Sequence, residues 1–215
     1  MSKTNNLFEL RKEYTQGGLS ENDIQRDPIS QFNIWLEQAV KAGITEPNAM
    51  TLATAASNGR VSARILLLKE VDSEGFVFFA NYNSNKAQQL AQNHFAALVF
   101  LWLELERQVR IEGVVSKIDN VESELYFSSR PRESQLGAWA SEQSSEIASR
   151  AILDERYHHY EKLFLDKPIP KPPNWGGYRL IPIEMEFWQG RPGRMHDRIL
   201  YGKKSNQWIY KRLSP

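Results

Sequence analysis

The sequence contains no cysteine among its 215 residues. This absence excludes disulfides, thiolate metal sites and cysteine nucleophiles, and it fits a reducing compartment. No apolar run approaches the ~20 residues that a helix needs to cross a bilayer. The polar start, from Met1 to Arg11, also lacks the apolar core of a secretory signal. We therefore expect a cytoplasmic protein that makes no membrane contact.

The sequence also lacks an excess of either charge, since its formal net charge is +1. A dedicated nucleic-acid-binding protein would show a strong basic excess, so we expect no nucleic-acid partner. The composition, 41% hydrophobic and 25% charged, is that of a globular protein. Internal repeats and low-complexity segments are absent as well. Local arginine clusters could still bind small anions.

The first 26 residues are polar and contain a Gly17-Gly18 break, so we predict a mobile N-terminal arm over residues 1–26. A single domain, residues 27–215, is expected to follow it. Asp27 and Pro28 form a good helix start, as cap and first helical residue, and Gly43 supplies the stop.

Beyond Met50 the hydrophobic pattern becomes that of β-strands. Asn58-Gly59 predicts a tight hairpin turn with positive φ angles. Strands are predicted at 50–55, 61–68, 76–80, 95–103, 109–118, 175–179, 183–189, 194–200 and 208–213, and further helices at 84–93, from a cap at Asn120, and at 147–166. This mixture predicts a mainly β protein with peripheral helices (α+β), built as a small β-barrel.

One candidate site lies in the segment from Phe187 to Arg198. If its second half is an extended strand, a period of two places Arg194, His196 and Arg198 on one face. Two guanidinium groups and an imidazole suit a phosphorylated or otherwise anionic aromatic ligand. The alternative is a solvated edge strand whose arginines pair with nearby carboxylates.

A second candidate site follows the helix that Asn120 is expected to cap. Tyr126 and Arg130, four residues apart, should share a helix face, Pro131 should break the helix, and Ser134 should start the next turn. A phenol, a guanidinium fork and a hydroxyl together suit a phosphate monoester. An ordinary helix end with polar surface residues is an equally good interpretation of the pattern alone.

Two further features remain ambiguous. The predicted helix start Ser84-Asn85-Lys86 could bind an anion at its free N–H groups, although such a cap is also common without one. Adjacent His158 and His159 project about 100° apart on a helix, so they cannot easily share a metal ion. We expect no metal site.

Several segments form a specific set when they are taken together. They are Arg11-Lys-Glu-Tyr-Thr-Gln-Gly-Gly-Leu19, Arg64-Ile-Leu-Leu-Leu-Lys69, Glu106-Arg-Gln-Val109, Ser129-Arg-Pro-Arg-Glu-Ser-Gln-Leu-Gly-Ala-Trp139, Gln143-Ser-Ser145, Phe187-Trp-Gln-Gly190, Arg194-Met-His-Asp-Arg198 and Arg212-Leu-Ser-Pro215. In matching order over nearly the whole chain, these segments resemble the pyridoxine (pyridoxamine) 5′-phosphate oxidase family.

The resemblance implies an FMN-binding split β-barrel that works as a homodimer, with the flavin between the subunits. It further implies oxidation of pyridoxamine or pyridoxine 5′-phosphate by dioxygen to pyridoxal 5′-phosphate and hydrogen peroxide. Two rival readings stay open: a non-catalytic flavin- or pyridoxal-phosphate-binding protein, and a related reductase with another flavin-like cofactor.

The resemblance also assigns residues. The implied FMN contacts are Arg64, Ile65, Leu66, Leu67, Leu68, Lys69, Phe79, Ala80, Asn85, Lys86, Gln108, Gln143, Ser144, Trp188 and Arg198, with Arg64 and Lys86 at the FMN phosphate. The implied substrate contacts are Arg11, Tyr14, Lys69, Tyr126, Arg130, Ser134, Arg194 and His196, the last two also being the catalytic candidates. One position departs from the family: Ser84-Asn85-Lys86 stands where Ser-Arg-Lys is usual, which removes one charge-assisted bond to FMN.

Overall fold

The computed structural model describes residues 13–205 and 207–215. Arg11, an expected substrate contact, lies outside these described residues. The helices are α1 (Pro28–Lys41), α2 (Asn85–Gln92), α3 (Asn120–Ser129), α4 (Arg132–Ala140) and α5 (Arg150–Leu163). The strands are β1 (Ala49–Ala55), β2 (Val61–Leu67), β3 (Glu70–Val71), β4 (Phe76–Asn81), β5 (Phe95–Trp102), β6 (Arg107–Lys117), β7 (Trp175–Gln189), β8 (Asp197–Lys204) and β9 (Gln207–Leu213).

The chain divides into two compact units. The central unit comprises Asn48–Leu98 and Ile111–Ile183, and the terminal unit comprises the described residues of Met1–Pro47, Val99–Arg110 and Glu184–Pro215. The prediction of an arm followed by one domain stays a prediction.

The central unit contains β1 to β4 and parts of β5, β6 and β7. In the sheet to which these strands belong, the hydrogen-bonded order is β2-β1-β5-β6-β7-β4-β3. The β1–β2 hairpin pairs Leu52 with Arg64, and β4 pairs with the first part of β7. Gly113 permits close approach within this sheet, because a Cβ there would lie 2.2 Å from the carbonyl oxygen of Ile181. Fully buried Leu52, Phe76 and Phe78 fill the core.

The terminal unit packs α1 among aromatic residues. Asp27 caps the helix by accepting from the Ser30 N–H, and Pro28 occupies the first turn, as predicted. The Phe32 ring meets Phe100 edge-on at 4.9 Å, and the Trp35 ring meets Phe187 at 5.2 Å. The second part of β7 pairs with β8, which pairs with β9.

Several predicted boundaries were wrong. The two strands expected at 175–179 and 183–189 are one strand, because Pro182 falls between the stretch paired with β4 and the stretch paired with β8. The cap of α3 is Asp119 rather than Asn120, since the Asp119 carboxylate accepts from the Val121 N–H. The last helix runs only over Arg150–Leu163. In the hairpin loop, Gly59 has a positive φ and Asn58 does not.

Candidate active site

A cavity of about 620 Å³ opens in the central unit. Its wall contains the predicted substrate contacts Lys69, Tyr126, Arg130 and Ser134, together with the predicted FMN contacts Leu66, Leu67, Phe79, Ala80 and Gln143. The structure therefore brings together residues that are separated by up to 77 positions in the sequence, from Leu66 to Gln143.

Local backbone chemistry places each side chain on this wall. Arg130 ends α3 in an extended conformation (φ −72°, ψ 149°), because the following Pro131 disfavours a helical residue before it. Tyr126 and Arg130 therefore do not share a helix face, contrary to our expectation. Ser134 lies within the first turn of α4, which begins at Arg132, rather than starting a new turn. Lys69 follows β2 and is exposed.

Tyr126 is held by a stack of aromatic rings. Its ring lies 3.9 Å from that of Phe79 and 6.2 Å from that of Trp175, and both pairs are close to parallel. The Phe79 and Trp175 rings are 5.2 Å apart. Such a stack restricts the Tyr126 side chain, so its hydroxyl is presented from a fixed position. The sequence pattern indicates Tyr126 and the family resemblance implies Phe79, but for Trp175 the sequence predicts only the start of a strand.

The Arg130 guanidinium on this wall packs against aromatic rings and contains a hydrogen-bond donor that lacks an acceptor within the described part of the chain. Its guanidinium carbon lies 4.8 Å from the centre of the Trp175 ring and 5.6 Å from that of Phe127. Burial lowers the pKa of this guanidinium. Its Nη1 atom is buried and has no hydrogen-bond partner among the described residues. A buried donor without an acceptor is costly, and an anionic oxygen in the cavity would satisfy it. The donor set therefore fits a phosphate ester.

Besides Lys69 and Arg130, the central unit contains two further cations of interest, Arg64 and Lys86. Arg64 donates to the hydroxyls of Thr54 and Ser62, at 2.6 Å each. Lys86 donates to the Ser84 hydroxyl at 3.3 Å and to the Gln143 side-chain oxygen at 3.0 Å. All four acceptors are neutral, and the described part of the chain gives neither cation a carboxylate partner.

This pair has the electrostatics of an anion site. Burial lowers the pKa of Lys86, and the charge of Arg64 lowers it further. Burial also lowers the pKa of Arg64. Two cations that disfavour one another are retained where an anion offsets both charges. The donors therefore fit the phosphate of a mononucleotide such as FMN.

Replacing Lys86 by Met should separate stability from binding. Removing a buried charge that lacks an acidic partner should raise the melting temperature of the FMN-free protein, by about 2–4 °C for each ~1 kcal/mol gained. The same change should weaken FMN binding roughly tenfold, because a charged hydrogen bond is lost. Thermal unfolding and flavin fluorescence titration measure the two effects. Lys211→Met, at an exposed lysine of β9, is the control, and a lower melting temperature with unchanged FMN affinity would contradict the assignment.

The predicted helix start around Asn85 is also present. Asn85 is the first residue of α2, and its backbone N–H donates to the Ser144 hydroxyl at 3.3 Å. Ser144 adopts a left-handed backbone conformation (φ 72°). Among the other expected FMN contacts, Leu68 is buried in the core, with 4% of its surface exposed, and Ile65 is 66% exposed.

The remaining site candidates belong to the terminal unit. Tyr14, Trp188 and His196 form an aromatic cluster, with ring centres 4.6 Å apart for Trp188 and His196, 5.6 Å for Tyr14 and Trp188, and 5.7 Å for Tyr14 and His196. The backbone N–H of Arg191 donates to His196 Nδ1 at 3.2 Å. In the neutral ring the proton is therefore on Nε2.

Arg194, His196 and Arg198 do not alternate along one strand, so this prediction was wrong. Pro192–Arg194 forms a 3₁₀ turn, Arg194 itself is left-handed (φ 61°), and β8 begins only at Asp197. The Pro-Gly sequence bends the chain before strand pairing starts. The Arg194 side chain is exposed and makes no hydrogen bond or ion pair within the described residues.

Arg198 and Gln108 are the other expected FMN contacts in the terminal unit. Arg198 donates from Nε and Nη2 to the two carboxylate oxygens of Glu186, at 2.8 and 3.1 Å, which raises its pKa. Gln108 is half-buried in β6.

No group of three His, Cys, Asp or Glu side chains that could hold a metal ion occurs in the part of the chain that the structure describes.

Two family models match the sequence. Residues 36–163 match pyridoxamine 5′-phosphate oxidase, and residues 175–215 match the C-terminal dimerisation region of pyridoxine 5′-phosphate oxidase. The chain belongs to the pyridoxine/pyridoxamine 5′-phosphate oxidase family. This confirms the resemblance seen in the sequence motifs, and it places the chain among the oxidoreductases.

Full-length relatives support this membership. The pyridoxine/pyridoxamine 5′-phosphate oxidase of Cyanothece sp. is 54% identical over 212 residues, covering 99% of this chain and 100% of the relative. The protein of the same name from Paraburkholderia phymatum is 55% identical over 210 residues, covering 97% and 99%.

Solved structures confirm the predicted fold class. PhzG from Burkholderia lata, solved with tetrahydrophenazine-1-carboxylic acid, matches with a TM-score of 0.87 at 32% identity, over 92% of this chain and 98% of PhzG. A pyridoxamine 5′-phosphate oxidase-related, FMN-binding protein from Nostoc punctiforme matches in fold with a TM-score of 0.70 at 18% identity, over 89% and 100%. The fold is the mainly β split barrel of this family. None of the described helices combines the length and apolar character needed to cross a membrane.

Proposed function

We propose that this protein is an FMN-dependent oxidase that converts pyridoxamine 5′-phosphate and pyridoxine 5′-phosphate to pyridoxal 5′-phosphate in the cytoplasm. The amine substrate, water and dioxygen would give the aldehyde, ammonia and hydrogen peroxide; the alcohol and dioxygen would give the aldehyde and peroxide. FMN, when bound, supplies the two-electron acceptor that dioxygen regenerates.

The buried, unpartnered Nη1 of Arg130 carries this proposal. This donor needs an acceptor, and an anionic oxygen could provide one inside the cavity that Lys69, Tyr126 and Ser134 also line. A cation, a phenol and an alcohol around a guanidinium offer both charge and directional hydrogen bonds to a phosphate monoester. Anchoring the phosphate would fix the position of the substrate's reactive carbon, which is how binding energy lowers the entropic part of a barrier.

The second cation pair would hold the cofactor. Arg64 and Lys86 would bind the FMN phosphate, and Gln143, which already accepts from Lys86, would keep the ammonium group oriented. Because Arg64 is held by neutral hydroxyls, its charge is available to an incoming anion. Asn85 would contribute its polar side chain but no charge at this site.

Arg194 and His196 would orient the pyridine ring of the substrate and stabilise charge as the aldehyde or imine forms. His196 has its tautomer set by the Arg191 N–H, so its Nε2–H is available as a donor.

We further propose a homodimer with FMN at the subunit interface, which is supported by the match of residues 175–215 to a dimerisation region.

The visible spectrum of the purified protein tests the proposal. The expected sample is yellow, is bleached anaerobically by pyridoxamine 5′-phosphate, and regains its colour in air with one hydrogen peroxide formed per substrate. A colourless protein that takes up no FMN would overturn the cofactor assignment. A yellow protein that only tetrahydrophenazine-1-carboxylic acid bleaches would overturn the substrate assignment in favour of a PhzG-like activity.

A further inference from the structure

Glu106 links two segments of the terminal unit from a strained position. It ends the 3₁₀ turn between β5 and β6 in a left-handed conformation (φ 54°) and is only 2% exposed. Its Oε2 accepts from the backbone N–H groups of Thr15, at 2.7 Å, and Gln16, at 2.9 Å. Burying a carboxylate is costly unless such donors satisfy it.

The backbone carbonyl of Glu106 binds a second segment, at the end of β7. The Glu106 carbonyl oxygen accepts from the Gly190 N–H at 2.7 Å and from Gln189 Nε2 at 3.3 Å. Gly190 is the residue after β7, at the start of the loop that carries Arg194 and His196. One residue therefore holds residues 15 and 16 with its side chain and the start of this loop with its backbone.

This double attachment determines where Tyr14 lies. Tyr14 directly precedes the two amides that Glu106 binds, and its ring packs edge-on against Trp188 and His196. The fit is tight, because a Cβ on Gly190 would lie 2.8 Å from Tyr14 Cγ and 3.0 Å from Glu106 Cβ. A small shift of the segment that contains Thr15 and Gln16 would therefore move the Tyr14 ring away from His196.

The segment has other attachments that do not involve Glu106. The Gly193 N–H donates to Glu13 Oε1 at 2.8 Å, Arg191 Nη1 donates to the Gly17 carbonyl at 2.9 Å, and the Leu19 N–H donates to Asp197 at 3.0 Å. Loss of the Glu106 carboxylate should thus leave residues 13–19 attached at both ends. What it removes is the fixed position of the stretch next to Tyr14.

We propose that Glu106 is a positioning residue, which holds Tyr14 against His196 and thereby orders the catalytic loop. This role rests on the proposed oxidase function, in which His196 orients the substrate, and on the family resemblance, which implies that Tyr14 contacts the substrate as well. Glu106 is only 2% exposed, and in this role it acts through Tyr14 rather than by contacting a ligand.

A double-mutant cycle with Tyr14 tests the inference. Glu106→Ala should lower kcat/KM for pyridoxamine 5′-phosphate about tenfold in the otherwise unchanged enzyme, because charge-assisted hydrogen bonds are lost. In a Tyr14→Ala background the same change should cost less than about twofold. Glu106→Gln keeps an oxygen acceptor for both amides and should stay within about threefold of the unchanged enzyme. Glu104→Ala, at an exposed carboxylate in the same turn, should have no effect.

Amide hydrogen exchange provides a readout that needs no turnover. Exchange at Thr15 and Gln16 should accelerate in Glu106→Ala, while exchange in β8 and β9 and the FMN content stay unchanged. An equal tenfold loss in both backgrounds, or unchanged exchange at these amides, would overturn the positioning role. If the enzyme oxidises no pyridoxamine 5′-phosphate yet the amides lose protection, the proposed function fails and the attachment of Tyr14 by Glu106 stands.

Discussion

Arg194→Ala is expected to lower kcat/KM for pyridoxamine 5′-phosphate by about 10- to 100-fold and to leave the FMN content unchanged. The size follows from the loss of one charged hydrogen bond to the substrate, roughly 1.5–3 kcal/mol. The Arg194 side chain is exposed and has no hydrogen-bond or ion-pair partner among the described residues. Its removal therefore breaks no hydrogen bond or ion pair among the described residues, so a loss of activity would report on the ligand.

The Arg194→Ala substitution should not change the backbone strain at this position. Arg194 is left-handed (φ 61°), and Ala carries the same Cβ, so the strain in the folded chain does not change. Steady-state kinetics and flavin absorbance measure the two quantities. Arg194→Lys should recover only part of the activity, because an ammonium lacks the planar fork of a guanidinium. Arg26→Ala, at an exposed arginine in the same unit, is the control, and an equal fall in activity and FMN content would move Arg194 to the cofactor.

Local signals were enough to predict much of the fold. The cap Asp27 and the helical Pro28 start α1, and the left-handed Gly43 follows its end, so both ends of the helix are set by local backbone chemistry. The β1–β2 hairpin was similarly evident from alternation and the Asn58-Gly59 turn. Such features depend on short stretches of chain, which is why sequence patterns predict them well.

The elements that were predicted wrongly depend on partners distant in sequence. The sequence predicts separate strands at 175–179 and 183–189, yet β7 continues through Pro182, which lies between the stretch paired with β4 and the stretch paired with β8. The loop before β8 alternates in charge like a strand, but pairing with β7 begins only at Asp197. Neither the change of partner along β7 nor the late start of pairing in β8 leaves a periodic signal in the sequence.

The candidate site shows the same division. Residue chemistry suggested that Tyr126, Arg130 and Ser134 act together, and the cavity brings them onto one wall with Lys69. Sequence reasoning missed Trp175, whose ring supports Arg130 and Tyr126, and Glu106, whose carboxylate binds backbone amides about 90 residues away. A tryptophan in a strand and a glutamate in a turn carry no pattern that distinguishes such roles.

Arg130→Met is expected to raise KM for pyridoxamine 5′-phosphate by about 10- to 100-fold with a much smaller change in kcat. The charge of Arg130 would contact the phosphate, which is distant from the reacting carbon and is bound equally before and during reaction, so its loss weakens uniform binding. Methionine keeps an unbranched apolar chain against Trp175 and Phe127, which separates loss of charge from loss of packing.

Comparing the phosphorylated substrate with unphosphorylated pyridoxamine tests whether Arg130 binds the phosphate. With unphosphorylated pyridoxamine, Arg130→Met should change kcat/KM by less than about twofold, because the contact that it removes is not made. Arg132→Met, two residues along, removes an exposed guanidinium that donates to the Phe164 and Lys167 carbonyls and should leave both substrates unaffected. If Arg130→Met weakened both substrates equally, Arg130 would be ordering the cavity wall, and its unpartnered Nη1 would no longer support a phosphate site. Because the variant also removes a buried donor that lacks an acceptor, its ligand-free form should melt no lower than the unchanged protein.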